Sequence, residues 1–206
     1  MTPQQYAALV PVKPPAHGKS RLVGPSDDRR RDLAAAFALD TVAACLTADH
    51  VVAVLAITDD ATFARRLADL GCASIPDAVT GDLNATLRQA AAEALRRWPD
   101  LVPVAVCADL PALRARDLDT ALDRTAAEVP SFVADAAGVG TTLYTAPHPL
   151  FDPRFGPGSR LAHLDAGAEE ISGALPSLRR DVDDLTDLQE ALALGVGPHT
   201  TAAEMQ

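Results

Sequence analysis

Three cations follow directly on the first apolar run of the chain. The run 8–12 leads into Lys13, then a proline pair, then Gly18-Lys19-Ser20-Arg21, just ahead of a helical pattern. A cationic loop at the carboxyl end of a first strand is where open α/β sheets bind phosphorylated ligands. The formal net charge is -10, so this local positive charge implies an anionic substrate rather than a nucleic-acid surface. Carboxylates form the counterpart. Asp109 ends an apolar run and precedes a turn in Cys107-Ala-Asp109-Leu-Pro111. An aspartate there suits a divalent cation held over a ligand, or a loop carboxylate at a helix start. Asp181-Val-Asp183-Asp184 is a second cluster. If 180–182 is a short strand, Asp181 and Asp183 project to one face and suit magnesium. Asp183 or Asp184 also fits the cap of a helix from Leu185.

Weaker signals lie between them. Gly81-Asp82-Leu83-Asn84 opens a helix, where Asp82 or Asn84 acts either as a cap or as a reader of a nucleobase edge. Gly138-Val-Gly140-Thr141-Thr142 joins small residues to two hydroxyls. Phe155-Gly156-Pro-Gly158-Ser159 is a glycine-rich turn entering a helix, and its amides and the Ser159 hydroxyl suit a phosphate or carboxylate. His163 falls four residues on, on the same helical face. The plain alternatives are a flexible hairpin and an ordinary helix start. Gly18-Lys19-Ser20 resembles the tail of a Walker A loop. Lys13 stands where that motif needs its first glycine, and Pro14-Pro15 removes amide donors, so a P-loop is not expected. No GxSxG occurs, and Cys45, Cys72 and Cys107 show no metal spacing, which suits a reduced cytoplasmic protein.

The elements that position these residues alternate between strand and helix signals, as in an α/β fold with a largely parallel sheet. Strands are predicted at 7–12, 51–58, 72–76, 102–107, 131–134 and 140–145, with 180–182 as a further one. Helices are predicted at 28–46, 61–70, 83–98, 113–128, 159–168 and 185–194. The 206 residues contain no linker or repeat, so the reading is one domain spanning 1–206 with a frayed tail from about 197. Aromatics are only 4%, so alanine, leucine and valine must fill the core. Neither a signal peptide nor a membrane span is expected.

Taken in order, Val10-Pro-Val-Lys13, Gly18-Lys19-Ser20-Arg21-Leu22, Asp82-Leu-Asn84, Ala108-Asp109-Leu-Pro111, Gly140-Thr141-Thr142-Leu143, Phe155-Gly-Pro-Gly158-Ser159 with His163, and Asp181-Val-Asp183 with Asp187-Leu188 resemble the 2-phospho-L-lactate guanylyltransferases, including members that use phosphoenolpyruvate. The resemblance covers 7–194. It implies a Rossmann-like, glycosyltransferase-A-type nucleotidyltransferase fold. It also implies transfer of GMP from GTP to phosphoenolpyruvate or 2-phospho-L-lactate, with pyrophosphate leaving, in coenzyme F-420 biosynthesis. On matching positions, Lys13, Lys19 and Arg21 would hold the GTP phosphates, with Lys13, Lys19 and Asp109 as catalytic groups. Asp82 and Asn84 would lie near guanine. Asp109, Asp181 and Asp183 would hold Mg2+, and Thr141, Gly156, Ser159 and His163 would serve the three-carbon acid. The implied partner is a downstream transferase that takes the guanylylated product, and an exposed strand edge would allow a homodimer. Where relatives often show Thr-Pro after the second acid, this chain has Asp184-Leu185. Two other readings compete: a nucleotidyltransferase acting on a molybdopterin or sugar phosphate, disfavoured because Pro-Val-Lys-Pro-Pro replaces a glycine-rich first loop, and a non-catalytic nucleotide-binding module.

Overall fold

The computed structural model describes residues 4–12, 26–79, 81–126 and 128–205. Its strands are β1 (Tyr6–Pro11), β2 (Val51–Ile57), β3 (Ala73–Ile75), β4 (Val102–Val106), β5 (Ser131–Ala134), β6 (Thr141–Thr145) and β7 (Glu169–Glu170). The strands β1, β2 and β4 are apolar at nearly every position, as strands covered on both faces must be. Helices are α1 (Asp27–Leu46), α2 (Ala61–Asp69), α3 (Leu83–Arg97), α4 (Ala115–Leu122), α5 (Ser159–Asp165), α6 (Pro176–Arg179), α7 (Leu185–Leu194) and α8 (Pro198–Glu204).

The described strands form one sheet in the order β3-β2-β1-β4-β6-β5-β7. The pairs β1–β2, β1–β4, β2–β3 and β5–β7 are parallel, while β6 runs opposite to both its neighbours. Alternate residues of β1 face two cores. Ala8 and Val10 pack with Leu39 and Val42 of α1, and Ala7 and Leu9 pack with Leu87 and Ala90 of α3. The chain leaves β1 for β2 and β3 on one side, then returns to β4 on the other. That reversal is the switch point where open α/β sheets bind ligands at the carboxyl ends of their strands. Because β6 is inverted, its first residue, Thr141, comes to the same edge as the last residues of β4 and β5.

Several elements depart from expectation, among them the unpredicted β7 and α6 and an α5 that ends at Asp165. Residues 180–182 form no strand, so alternation does not set the directions of Asp181 and Asp183. The fourth helix is shorter than expected, closing after Leu122 as Asp123, Arg124 and Thr125 turn back onto Asp119, Ala121 and Leu122. The supposed frayed tail is α8, which packs on α1. Asp40 of α1, nearly buried, accepts from the His199 N–H at 3.0 Å and the Thr200 N–H at 2.8 Å, capping α8 from another element. Pro198 at the first helical position completes the start. Among the described residues no helix is long and apolar enough to cross a membrane.

Replacing Asp40 by Ala strands two amides at the start of α8. We expect a loss of about 1–3 kcal/mol in urea unfolding, with faster amide exchange across 198–204. An unchanged midpoint would show that α8 docks without the cap.

Candidate active site

Asp109 lies at the turn that follows β4, and its backbone is held from two sides. The Thr41 hydroxyl of α1 donates to the Phe37 carbonyl and accepts from the Leu110 N–H at 3.1 Å, with the Ala108 carbonyl 3.2 Å away. The Asp109 carbonyl accepts from the Val182 N–H at 3.0 Å. Val182 is fully buried against Leu33, Phe37 and Leu188, so the segment carrying Asp181 is anchored beside Asp109 by packing and by a main-chain bond. The approach to that segment is fixed too. Buried Asp117 of α4 accepts from the Ser177 hydroxyl at 2.7 Å and its N–H at 3.1 Å, which ties α6 in place ahead of Asp181.

The electrostatics follow from this convergence. Burial first, and then the carboxylates of Asp109, Asp135 and Asp183, push the Asp181 carboxyl up to about 7. Asp135 escaped the sequence reading. It directly follows β5, and its two oxygens accept from the Val139 N–H at 2.9 Å and the Gly140 N–H at 2.8 Å. A side chain at 140 would collide with that carboxylate, which explains the glycine. The only advance signal was an Asp three residues before Gly138 in a predicted hairpin. Asp183 is exposed at the outer end of the group. Asp184 is the cap of α7, in a capping box with Asp187, so the cap reading of the acidic run applies to Asp184. Arg180 pairs with Asp187 at 3.1 Å and Glu190 at 2.6 Å, on the α7 side.

Among the described residues, no three side chains of His, Cys, Asp or Glu converge into a metal-binding group. The nearness of the Asp109 and Asp181 carboxylates still matches the way magnesium is held, through one or two carboxylates with water and substrate phosphates completing its shell. The oxygen-only donor set fits such an ion.

Across the edge lies the second group of expected site residues. Pairing steps by one residue on β5 but by two on β6, from Val133↔Leu143 to Ala134↔Thr141. This bulge re-aims Thr141, whose hydroxyl lies 3.0 Å from Nδ1 of His163. The main chain at Thr141 and Thr142 lies against Cys107, two residues before Asp109. His163 is 0 % exposed. Its ring stacks on Tyr144 at 4.7 Å and Phe132 at 5.3 Å, with the edge of Phe155 at 5.6 Å. Its Nε2 accepts from the Arg154 N–H at 2.9 Å. A neutral ring that accepts at Nε2 carries its proton on Nδ1. It therefore donates to Thr141, whose own hydroxyl proton is not used by this bond. Burial chiefly, with the Arg154 charge adding to it and a Ser159 backbone bond opposing it, lowers the His163 pKa to about 4. His163 is thus sealed from the surface and bonded to Thr141.

Gly156 is exposed and carries a φ of 137°, a value that side chains rarely allow. Ser159, nearly buried, starts α5, and its N–H donates to the Gly156 carbonyl. Asp82 caps α3 through the Ala85 N–H at 3.0 Å. Asn84 reaches across to Phe155 with both ends of its amide. Lys13, Lys19 and Arg21 lie outside the described residues.

A histidine whose folded pKa lies below its unfolded value supports stability above pH 6.5, and that support drains away as pH falls toward 4. Wild type should therefore lose up to about 3 kcal/mol from this group over that window. In thermal melts the advantage of wild type over His163→Gln should shrink from pH 7 to pH 4. An advantage constant across that range would contradict the buried neutral imidazole.

Residues 6–203 match the family described as Guanylyl transferase CofC like. The chain is 48% identical over 206 residues to the phosphoenolpyruvate guanylyltransferase of Streptomyces scabiei, covering 97% of this chain and 95% of that protein. It is 47% identical over 199 residues to the enzyme of the same name from Thermomonospora curvata, covering 96% and 87%. Among solved structures, a nucleotidyl transferase from Methanothermobacter superposes with a TM-score of 0.64 at 18% identity, over 92% of this chain and 97% of that one. That likeness speaks for the fold, a glycosyltransferase-A-like nucleotidyltransferase sheet. On this evidence the chain is a nucleotidyltransferase and belongs to the CofC-like guanylyltransferase family.

Proposed function

We propose that this enzyme moves GMP from GTP onto the phosphate of phosphoenolpyruvate and releases pyrophosphate. The observation that carries the reading is the meeting at one sheet edge of the Asp109–Asp181 pair with the Thr141 and Gly156–Ser159 group. The names of the relatives support phosphoenolpyruvate as acceptor over 2-phospho-L-lactate. In this reading the product feeds coenzyme F-420 biosynthesis through a downstream transferase.

A phosphate monoester is close to a dianion at neutral pH, so it attacks the α-phosphorus of GTP without a strong general base. The difficulty is bringing two polyanions together in line. Thr141 donates its hydroxyl proton to the acid, held in that sense by His163. Ser159 and the amides around Gly156 face the acid's remaining oxygens. The loop around Asp82 borders the nucleotide. Lys13, Lys19 and Arg21, which follow β1 in sequence, neutralise the triphosphate and the departing pyrophosphate. Asp109 and Asp181, with Asp183 beside them, would hold Mg2+. When bound, the ion offsets phosphate charge and orients the reacting oxygens.

The direct test offers purified enzyme GTP and Mg2+ with either acid, and follows pyrophosphate by coupled assay and the product by mass spectrometry. Pyrophosphate should appear with phosphoenolpyruvate and a guanylylated acid should accompany it. Release without any acid, or only with a sugar phosphate, would overturn the reading. Asp109→Asn should cut kcat by at least about a hundredfold, as loss of a charged contact worth roughly 3 kcal/mol implies. Near-normal turnover with Mg2+ would remove Asp109 from the chemistry. Ser159→Ala should raise the acid KM roughly tenfold while leaving that for GTP within about twofold; equal weakening of both would count against the assignment.

A further inference from the structure

The Asn84 carboxamide makes both of its hydrogen bonds to a single residue 71 positions away. Its Oδ1 accepts from the Phe155 N–H at 2.8 Å. Its Nδ2 donates to the Phe155 carbonyl at 3.0 Å. Paired donor and acceptor contacts fix both the position and the rotation of a peptide segment, as a strand neighbour would. Asparagine presents a planar donor and acceptor side by side, which a single hydroxyl does not.

Phe155 immediately precedes Gly156, the first residue of the turn that opens α5. One residue earlier, the Arg154 N–H is bound by Nε2 of His163 at 2.9 Å. The Phe155 ring meets the same imidazole edge-on at 5.6 Å. The entry to the turn is therefore gripped by His163 of α5 and by Asn84 of α3. Asn84 is the second residue of α3, two positions after the Asp82 cap. Its amide, engaged with Phe155, is not presenting its edge to a base.

We infer that Asn84 is a positioning residue for the acid-binding turn, and not a reader of the nucleobase. The inference rests on the reading of Gly156–Ser159 as the acid site. It ties the helix beside the nucleotide loop to the turn that receives the second substrate. Displacement of that turn would misplace the amides around Gly156 and the Ser159 hydroxyl together.

Two variants separate the possibilities. Asn84→Ala removes both bonds. Asn84→Asp is nearly isosteric and keeps the acceptor for the Phe155 N–H, but sets a carboxylate oxygen against the Phe155 carbonyl. Both should raise the phosphoenolpyruvate KM about tenfold. The GTP KM and the preference for GTP over ATP should stay within about twofold of wild type. Amide exchange at Phe155 should accelerate in Asn84→Ala, a readout that needs no turnover. A raised GTP KM or lost preference over ATP would overturn the inference in favour of base reading. Lowered melting temperature with both KM values unchanged would reduce Asn84 to a structural tie and overturn it equally. If wild type itself transfers nothing to phosphoenolpyruvate, the functional reading fails and the inference falls with it. If wild type is active and the variants keep its acid KM, the inference alone fails.

Discussion

Confining several carboxylates to one edge of a sheet is repulsive, and much of the surrounding architecture resists that repulsion. Burial, and then the charges of Asp109, Asp135 and Asp183, push the Asp181 carboxyl up to about 7. The group stays together through packing and hydrogen bonds made elsewhere. Val182 is sunk in its own apolar cluster, Thr41 fixes the turn around Asp109, and Ser177 hangs from Asp117. None of these depends on the charge of the residues being positioned. A cleft that must receive two phosphorylated substrates gains from such rigidity, because the carboxylates cannot splay apart to relieve their own field.

The inverted strand solves a second problem. In a purely parallel sheet the amino ends of strands point away from the ligand edge. By running against its neighbours, β6 brings Thr141 to that edge, and its bulge turns the hydroxyl toward His163. The imidazole is then kept neutral by the aromatic rings around it and by an amide that occupies Nε2. Its single proton sits on Nδ1, on the side of Thr141. A histidine here acts as a fixed dipole, unlike the titrating histidines of acid–base sites.

Much of this was legible in the chain. Apolar runs marked β1, β2 and β4, and an aspartate after such a run marked Asp109. What stayed hidden depended on partners far away in sequence. Asp135 looked like any hairpin acid, because its neighbourhood with Asp181 exists only once β5 and the segment after α6 come together. The α8 cap is supplied by Asp40, more than 150 residues upstream, so its start read as a fraying tail. Glu169–Glu170 has no apolar pattern and pairs by backbone alone. Residues 180–182 looked extended from Val182, but that valine fills a helix-lined pocket instead of a strand face. Asn84 was open between a helix cap and a neighbour of the base, and its grip on Phe155 stayed hidden because that partner lies 71 residues away.

The central claim is that one sheet edge brings a metal-holding aspartate pair to the acid-binding turn. Crystals grown with a non-hydrolysable GTP analogue, Mn2+ and phosphoenolpyruvate test it most directly. The account predicts an anomalous peak against the Asp109 and Asp181 carboxylates, with the acid's phosphate on Thr141 and Ser159. A manganese peak away from both aspartates, or the acid bound at another edge of the sheet, would contradict it.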